Sequence, residues 1–475
     1  MRRLVFSELK KLFKSRFHIL LLLGLLLYTG YATYQTYNKY PNTGRSDWEY
    51  TDVDGTRIKR GLDYYRRADQ ILHQYKGIAN EELYQTYRHD YQSILDQFPQ
   101  ETFDDTFMTK MYGKDYDQFL KNARDGKYNN EQLWEEIHDR EIYGSWANED
   151  NHFYFDLYYE NDHVRTMYQM IYLNTLNFSS YDPALEEPPM DVFTENFYQL
   201  CTNDKTSLSY DELRDQGNTT DAAMKEKLIG KDLNKSFDSP VGNNLLINAL
   251  GNINVMTLIV IAMILSNSFS MEAYYKTNQI LIPSATAMKK LTIAKLLSGI
   301  LVALAILCFQ YVIVFGLSFL FLPCRDLGML TIDMAGTSLI NVTSSLFTYQ
   351  EMIVSNLLLN TTAVVSLAVV TMALSFFTKN RFATIVPLLI VLLVTSLLLP
   401  FQQLMNSFLD HFFWGNMMDT TSFYSGFISY PLPYVLILGT LFSWKTLILL
   451  FWIIATVVIV TLMYRISKNH VVKNQ

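Results

Sequence analysis

The chain is poor in cysteine. Three in 475 residues, an odd number, exclude a full disulfide framework. Cys201 lies in an acidic region, Cys308 in an apolar run and Cys324 at the edge of that run. A Cys201–Cys324 bridge and three unpaired thiols both fit. The phosphate-binding loop Gly-x-x-x-x-Gly-Lys-Ser/Thr is also missing. The closest fragment, "LIGKDLNKS", has Asp232 after Gly-Lys and no upstream glycine, so the chain has no visible phosphate cradle of its own. Neither His-Glu-x-x-His nor Gly-x-Ser-x-Gly occurs, which leaves hydrolase chemistry without support. The apolar runs lack the buried Asp, Glu or Arg of an ion-driven carrier. A transporter with neither an ion relay nor an ATPase takes its energy from a partner.

Charge is unevenly placed. Residues 35 to 245 hold 22 Lys/Arg and 39 Asp/Glu, net −17, while the rest holds 17 and 7, net +10. Such asymmetry points to two environments. A bilayer core needs about 20 apolar helical residues, and six runs qualify: 17–36, 250–270, 296–322, 355–377, 382–401 and 443–464. In the short flanks, 15 of the 17 basic residues fall on one side, and only Arg325 and Lys445 on the other. The positive-inside rule then predicts both termini in the cytoplasm and the acidic region 37–247 outside. Gly30 and Ala32 loosely fit a signal-peptidase site, but the first run is long and Tyr28, Tyr31 and Tyr34 crowd its outer end like an interfacial belt. Residues 1–16 place Leu4, Val5, Leu9, Leu12 and Phe13 at helical spacing with bases opposite. That pattern predicts either a helix lying in the inner interface or an ordinary basic flank.

The expected fold is an all-α polytopic membrane protein: six transmembrane helices plus a mainly α-helical extracellular domain. In that domain, Ile58, Leu62, Tyr65, Ile71, Leu72 and Tyr75 recur at helical spacing, as do Leu83, Tyr84, Tyr87, Tyr91, Ile94 and Leu95. Further helices are expected near 115–124, 130–142, 160–177, 191–202 and 221–233. "SSYDPALEEPPMD" is a turn-rich break. The tyrosine and acid content fits either a tyrosine-rich core or a surface for a cationic amphipathic ligand. Glu135, His138 and Glu141 stand at helical spacing, but one such helix lacks the further carboxylates a metal site needs, so no metal is expected. No nucleic-acid partner is expected either.

Between the second and third runs stands "SFSMEAYYKTNQILIPSATAMKKLTIAK". It resembles the same region of ABC-2 type transporter permeases, which tends to show a glutamate leaving the second span, a Gly-Thr, Leu-rich residues, a Pro with small residues, and basic residues opening the third span. Glu272, Thr277, Ile280, Leu281, Pro283, Ser284, Lys289 and Lys295 follow that order, with Lys276 in place of the usual Gly and Pro283 slightly early. "FSELKKLFKSRF" resembles the family's amphipathic start, and "AVVTMALSFFTKNRFATIVPLLIVLLV" its fourth span, short basic loop with Lys379 and Arg381, and fifth span. Segment 402–442 resembles its re-entrant helices before the last span. The insert between the first two spans is larger than in many members.

The resemblance implies a bacterial plasma-membrane permease subunit with no cofactor of its own. Two permease chains, identical or related, would sit in membrane lipid on cytoplasmic ABC ATPase subunits that hold ATP and Mg. The loop 271–295 would carry a coupling helix, with Glu272, Thr277, Pro283, Ser284, Lys289, Lys290 and Lys295 toward the ATPase, and Lys379 and Arg381 in the second cytoplasmic loop at 378–381. The segments 323–354 and 402–442 would lie outside and 465–475 inside. The expected function is export of an amphipathic substrate such as a peptide, drug or lipid, without enzyme activity in this chain. A different expectation is a sensor or scaffold whose outer domain binds a peptide and relays its state.

Overall fold

The computed structural model describes residues 1–39, 50–59, 61–98, 114–124, 236–274, 285–329, 348–397, 412–418, 434–437 and 440–472, with scattered positions between 109 and 172. Helix α1 (Arg2–Lys14) is amphipathic and contains a buried Glu8 paired with Lys11 at 2.5 Å. Extended Ser15 separates it from α2 (Arg16–Asn38), the first apolar helix. His18 Nδ1 lies 2.8 Å from the Leu12 carbonyl and fixes the corner between them.

The acidic domain begins with a small hairpin, β1 (Tyr50–Thr51) and β2 (Arg57–Ile58), turning through Gly55 at φ +79. Then come α3 (Gly61–His73), β3 (Gly77–Ile78), α4 (Glu81–Gln97), α5 (Tyr116–Arg124), β4 (Trp146–Ala147), β5 (Phe153–Tyr154) and β6 (Ser236–Phe237). Asn80 caps α4 by accepting from the Leu83 amide at 2.8 Å. Antiparallel pairing of β3 with β6 closes the domain where it opened. The helices expected at 83–95 and 115–124 are present as α4 and α5; of the one expected from Ile58 to Tyr75, Leu62 to Leu72 lie in α3, while Ile58 belongs to β2 and Tyr75 follows the helix in a turn. Of 160–177, the described positions 164, 165, 167, 168, 171 and 172 are helical. The expectations at 130–142, 191–202 and 221–233, the break at 179–191, and Glu135, His138 and Glu141 lie outside the described residues.

Tyrosine forms this domain's core. Tyr75, Tyr87, Tyr91, Tyr168 and Tyr172 are buried and pack ring on ring, with centroids 4.9 Å apart for Tyr75–Tyr87 and for Tyr87–Tyr172. Each hydroxyl that goes inside needs a partner. Tyr75 donates to Asp90 at 2.8 Å, Tyr87 to the Tyr172 carbonyl at 2.8 Å and Tyr168 to Asp52 at 2.6 Å. Burial, then Tyr172 and Asp90, push the Tyr75 phenol above its ordinary range. These tyrosines and their acids are therefore turned inward, and the core reading holds for them.

Among the described residues, five helices are long and apolar enough to cross a membrane. After α2, the second is built from α6 (Val241–Leu250), α7 (Val255–Leu265) and α8 (Asn267–Tyr274), the candidate span running Val241–Met271. It therefore starts earlier than the apolar run suggested, inside the stretch assigned to the acidic domain. Its first third ends in a break at 251–254, where Asn254 caps α7 through the Met256 amide. Asn252 and Asn254 also donate to Thr36 and Tyr28 of α2, at 3.1 and 3.2 Å. Helix α9 (Ala285–Phe321) and α10 (Tyr349–Thr378) follow. Thr348 and Glu351 form a reciprocal capping box at the start of α10.

The run predicted at 382–401 forms α11 (Arg381–Leu397), which is 17 residues long and contains Pro387. It falls short of a full span among the described residues. The segment 402–442, expected to be helical, holds a short α12 (Trp414–Met418) and then a hairpin of β7 (Tyr434–Ile437) and β8 (Thr440–Ser443). Ile437 pairs with Thr440, so only two residues connect the strands, and the second is Gly439. The last apolar helix is α13 (Trp444–Val472). The described residues are thus mostly helical, consistent with the expected all-α membrane class, with small two-stranded additions.

Helix α10 is the most buried of the five candidate spans and α13 the least. Sequence explains the first. Polar side chains on α10 reach four neighbouring helices. Tyr349 donates to Asn244 of α6 at 2.7 Å, and Ser355 accepts from Lys445 of α13 at 2.9 Å. Asn356 accepts from Tyr311 of α9 at 2.6 Å, and Asn360 donates to the same hydroxyl at 3.0 Å. Ser366 accepts from the Trp414 indole at 2.9 Å. Bonds of this kind between apolar helices are worth about 0.6 kcal/mol each, up to roughly 2. A second key joins three helices, as Gln310 of α9 donates to Thr29 of α2 and accepts from Thr257 of α7. Leu20, Leu27, Leu450, Ile454 and Val457 stay exposed, as a lipid-facing surface requires.

Cys308 and Cys324 are free thiols, and Cys201 lies outside the described residues. Cys324 Sγ donates to the Gly242 carbonyl at 3.6 Å. Burial, helped by the charge of Asp69, pushes this thiol up to about 12. A raised value keeps the group protonated at pH 8, and each unit lowers the thiolate tenfold. Maleimide labelling of Cys324 at pH 8, followed by peptide mass spectrometry, is therefore expected to run about 1,000-fold slower than for an ordinary thiol. Rapid labelling at Cys324 would contradict this burial.

Candidate functional site

Of the residues singled out by sequence, Lys289, Lys290, Lys379 and Arg381 are described at helix ends on one side of the bundle. Helix α1 packs along α9 there. Thr292 of α9 meets Ser467 of α13 at 3.2 Å, and the Arg381 guanidinium lies 5.8 Å from the Phe17 ring centroid. Lys289 is half-buried and Lys290 exposed in the first turns of α9. Lys379 terminates α10 in a left-handed conformation at φ 52, and exposed Asn380 caps α11 by accepting from the Phe382 amide at 2.9 Å. Glu272 lies in α8, while Thr277, Pro283 and Ser284 are outside the described residues. Helices α8 and α9 each extend into the stretch read as a loop.

Lys295 does not open the third span. It sits well inside α9, is 3% exposed, and donates to the Ser268 carbonyl at the start of α8. Its ammonium also lies 4.8 Å from the centroid of the Phe269 ring, an attractive arrangement for a cation. The side chain points into the bundle, where burial rather than the chain's charge pattern decides its partner.

That contact is half of a clamp. At Ser266 the second apolar helix breaks between α7 and α8. In a regular helix, the Phe269 and Ser270 amides would bond four residues back. Here Ser375 of α10 inserts its hydroxyl instead. Ser375 Oγ accepts from the Phe269 amide at 3.2 Å and the Ser270 amide at 3.3 Å, and donates to the Ser266 carbonyl at 2.8 Å. An inserted side chain is a recognised cause of a helix break. Ser266, Ser270 and Ser375 are all buried, so every bond counts at low dielectric. Phe269 packs edge-on against Phe376 at 5.4 Å. The start of α8 is therefore held jointly by α9 through Lys295 and by α10 through Ser375.

Sequence reading missed Ser375. The only signal was the polar "SNSFS" ending an apolar run, which marks a break but not its partner. Asn360 bonds between helices, to Tyr311 of α9, whereas Thr371 donates to the Leu367 carbonyl of its own helix. Among the described residues no group of His, Cys, Asp and Glu is arranged to hold a metal ion. No protein-family model, curated protein or solved structure matches this chain.

Proposed function

We propose that the chain is the permease subunit of an ATP-binding-cassette exporter of an amphipathic substrate, powered by a separate ATPase subunit. The observation that carries this reading is the ordered pattern Glu272, Thr277, Pro283, Ser284, Lys289 between two apolar helices. The clustering of Lys289, Lys290, Lys379 and Arg381 with α1 at one end supports it, because a docking surface needs those groups on one side. In this reading that end faces the cytoplasm and the acidic domain faces outward. Two permease chains contact two ATPases, and the segment after α8 is the contact. The clamp on α8 supplies a physical route: a push on Glu272 and its neighbours is delivered to α9 and α10 through Lys295 and Ser375.

The test is affinity purification of the tagged chain from its native membrane under mild detergent. An ATP-binding-cassette subunit should co-purify in a stable ratio, with ATP hydrolysis present only in the complex. Glu272→Ala should insert normally but lose partner-dependent transport. Robust transport by the chain alone would sink the reading.

A further inference from the structure

Helix α3 packs against α2 and α6 and reaches the segment that follows α9. At its start, Gly61 abuts the end of α2 so closely that a Cβ there would lie 2.5 Å from the Lys39 carbonyl oxygen. In its last turns, Asp69 accepts both arms of Arg325, just past α9, with Nε at 2.9 Å and Nη2 at 2.6 Å. At its end, His73 Nδ1 lies 2.6 Å from Asp238, just before α6. Thirteen residues give a helix about 20 Å long, and packed helices lie about 8–10 Å apart. The length therefore suits a bridge over three neighbours.

Arg325 sits where these ties converge. Besides Asp69, its Nε lies 3.8 Å from Asp238, and its backbone amide donates to Asn243 of α6 at 3.1 Å. Asn243 donates back to the Asp326 carbonyl at 3.4 Å. Asp238 also faces Lys76 at 3.8 Å and the Ser239 amide at 2.7 Å. Both carboxylates are about 5% exposed at the side chain and the guanidinium is 21% exposed. A two-pronged Arg–carboxylate contact fixes orientation as well as distance. Removing one partner of a buried pair leaves an uncompensated charge.

We propose that α3 is a rigid strap holding the acidic ends of α2, α6 and α9 together, with Arg325 as its fastening. Relative movement of these three helices is then confined to the opposite end of the bundle. The strap belongs to the acidic domain, so the domain follows those helix ends as one body. This inference stands independently of any transport role.

The test is amide hydrogen exchange on the full chain in lipid nanodiscs. For Arg325→Ala, exchange is expected to quicken at least 10-fold in α3 and in residues 322–329, which Arg325 contacts. It should quicken comparably at the end of α2, residues 33–38, which Arg325 does not touch. Arg325→Lys keeps the charge but loses the fork, and should show the same pattern more weakly if the alanine variant fails to fold. The exchanged pair Asp69→Arg with Arg325→Asp should return exchange in α2 to within about threefold of the parent. Faster exchange limited to 61–73 and 322–329, with residues 33–38 unchanged, would overturn the strap. So would a charge exchange that rescues nothing.

Discussion

Replacing Gly242 with alanine is expected to destabilise the protein by about 3 kcal/mol, at the upper end of what overpacking costs. A Cβ at this position would lie 2.1 Å from the Pro323 carbonyl oxygen and 2.9 Å from its carbon. Both atoms are backbone, so no side-chain rotation relieves the clash. Moving α6 away from residues 323–326 would also pull Asn243 from the Arg325 amide and the Gly242 carbonyl from the Cys324 thiol. Thermal unfolding in a fixed detergent, followed by tryptophan fluorescence, measures the loss. Gly316→Ala is the control, since nothing lies within 4 Å of a Cβ there. It sits within α9, where alanine is favoured over glycine by up to about 1 kcal/mol. Equal effects of the two substitutions would show that α6 and the end of α9 do not meet as described.

Ser375→Val should cost about 2–5 kcal/mol. Valine and threonine are nearly isosteric and each adds one methyl group at this buried position, so the difference between those two variants isolates the hydroxyl. With valine, the Phe269 and Ser270 amides lose their acceptor and the Ser266 carbonyl loses a donor. A buried backbone group left unpaired costs about 1–3 kcal/mol. The helix can recover part of this by closing the break and restoring its own ladder, so the observed loss should fall toward the lower half of the range. Ser375→Thr retains the hydroxyl and should cost far less. Thr371→Val, one turn earlier on α10, removes a hydroxyl bonded only within its own helix and should stay within about 1 kcal/mol. Hydrogen exchange at Phe269 and Ser270 distinguishes a straightened helix from an open one. If valine at 375 leaves both stability and exchange unchanged, the clamp does not hold this junction.

Much of this architecture was legible in residue order. The apolar runs predicted where long helices form, because twenty apolar residues in succession have one way to satisfy their backbone in lipid. Helical spacing of tyrosine and leucine located α3 and α4, and inward tyrosines made their core. Boundaries were less legible. Val241–Leu250 joins the second apolar helix although it contains Gly242, Asn243, Asn244 and Asn248. Those polar side chains are used by Arg325 and Tyr349, partners that only the fold brings near. The hairpin at 434–443 departs from the helical expectation because a short, mixed apolar segment carries no period that separates strand from helix.

The two bases that broke the charge rule are instructive. Arg325 and Lys445 were exceptions when cations were counted by loop. Each proves to have a specific partner, Asp69 for Arg325 and Ser355 for Lys445. Lys295 shows the reverse. It obeyed the rule, and its side chain is nevertheless directed into the bundle at Ser268 and Phe269. Counting charges along a chain places loops, but it does not say which charge a neighbouring helix will claim. Ser375 was illegible for the same reason, since one hydroxyl in an apolar helix carries no mark of the backbone it will meet.

The central claim is that energy enters this protein from another chain at the end that carries Lys289, Lys290, Lys379 and Arg381. Its most direct measurement is site-specific photocrosslinking from Lys290, which is exposed at the start of α9, in native membranes. The predicted result is one dominant adduct with an ATP-binding-cassette subunit, lost when that subunit's gene is deleted and absent from a probe at exposed Asp54 in the acidic domain. Adducts with lipid alone at position 290, or with the same partner from both ends of the molecule, would contradict it.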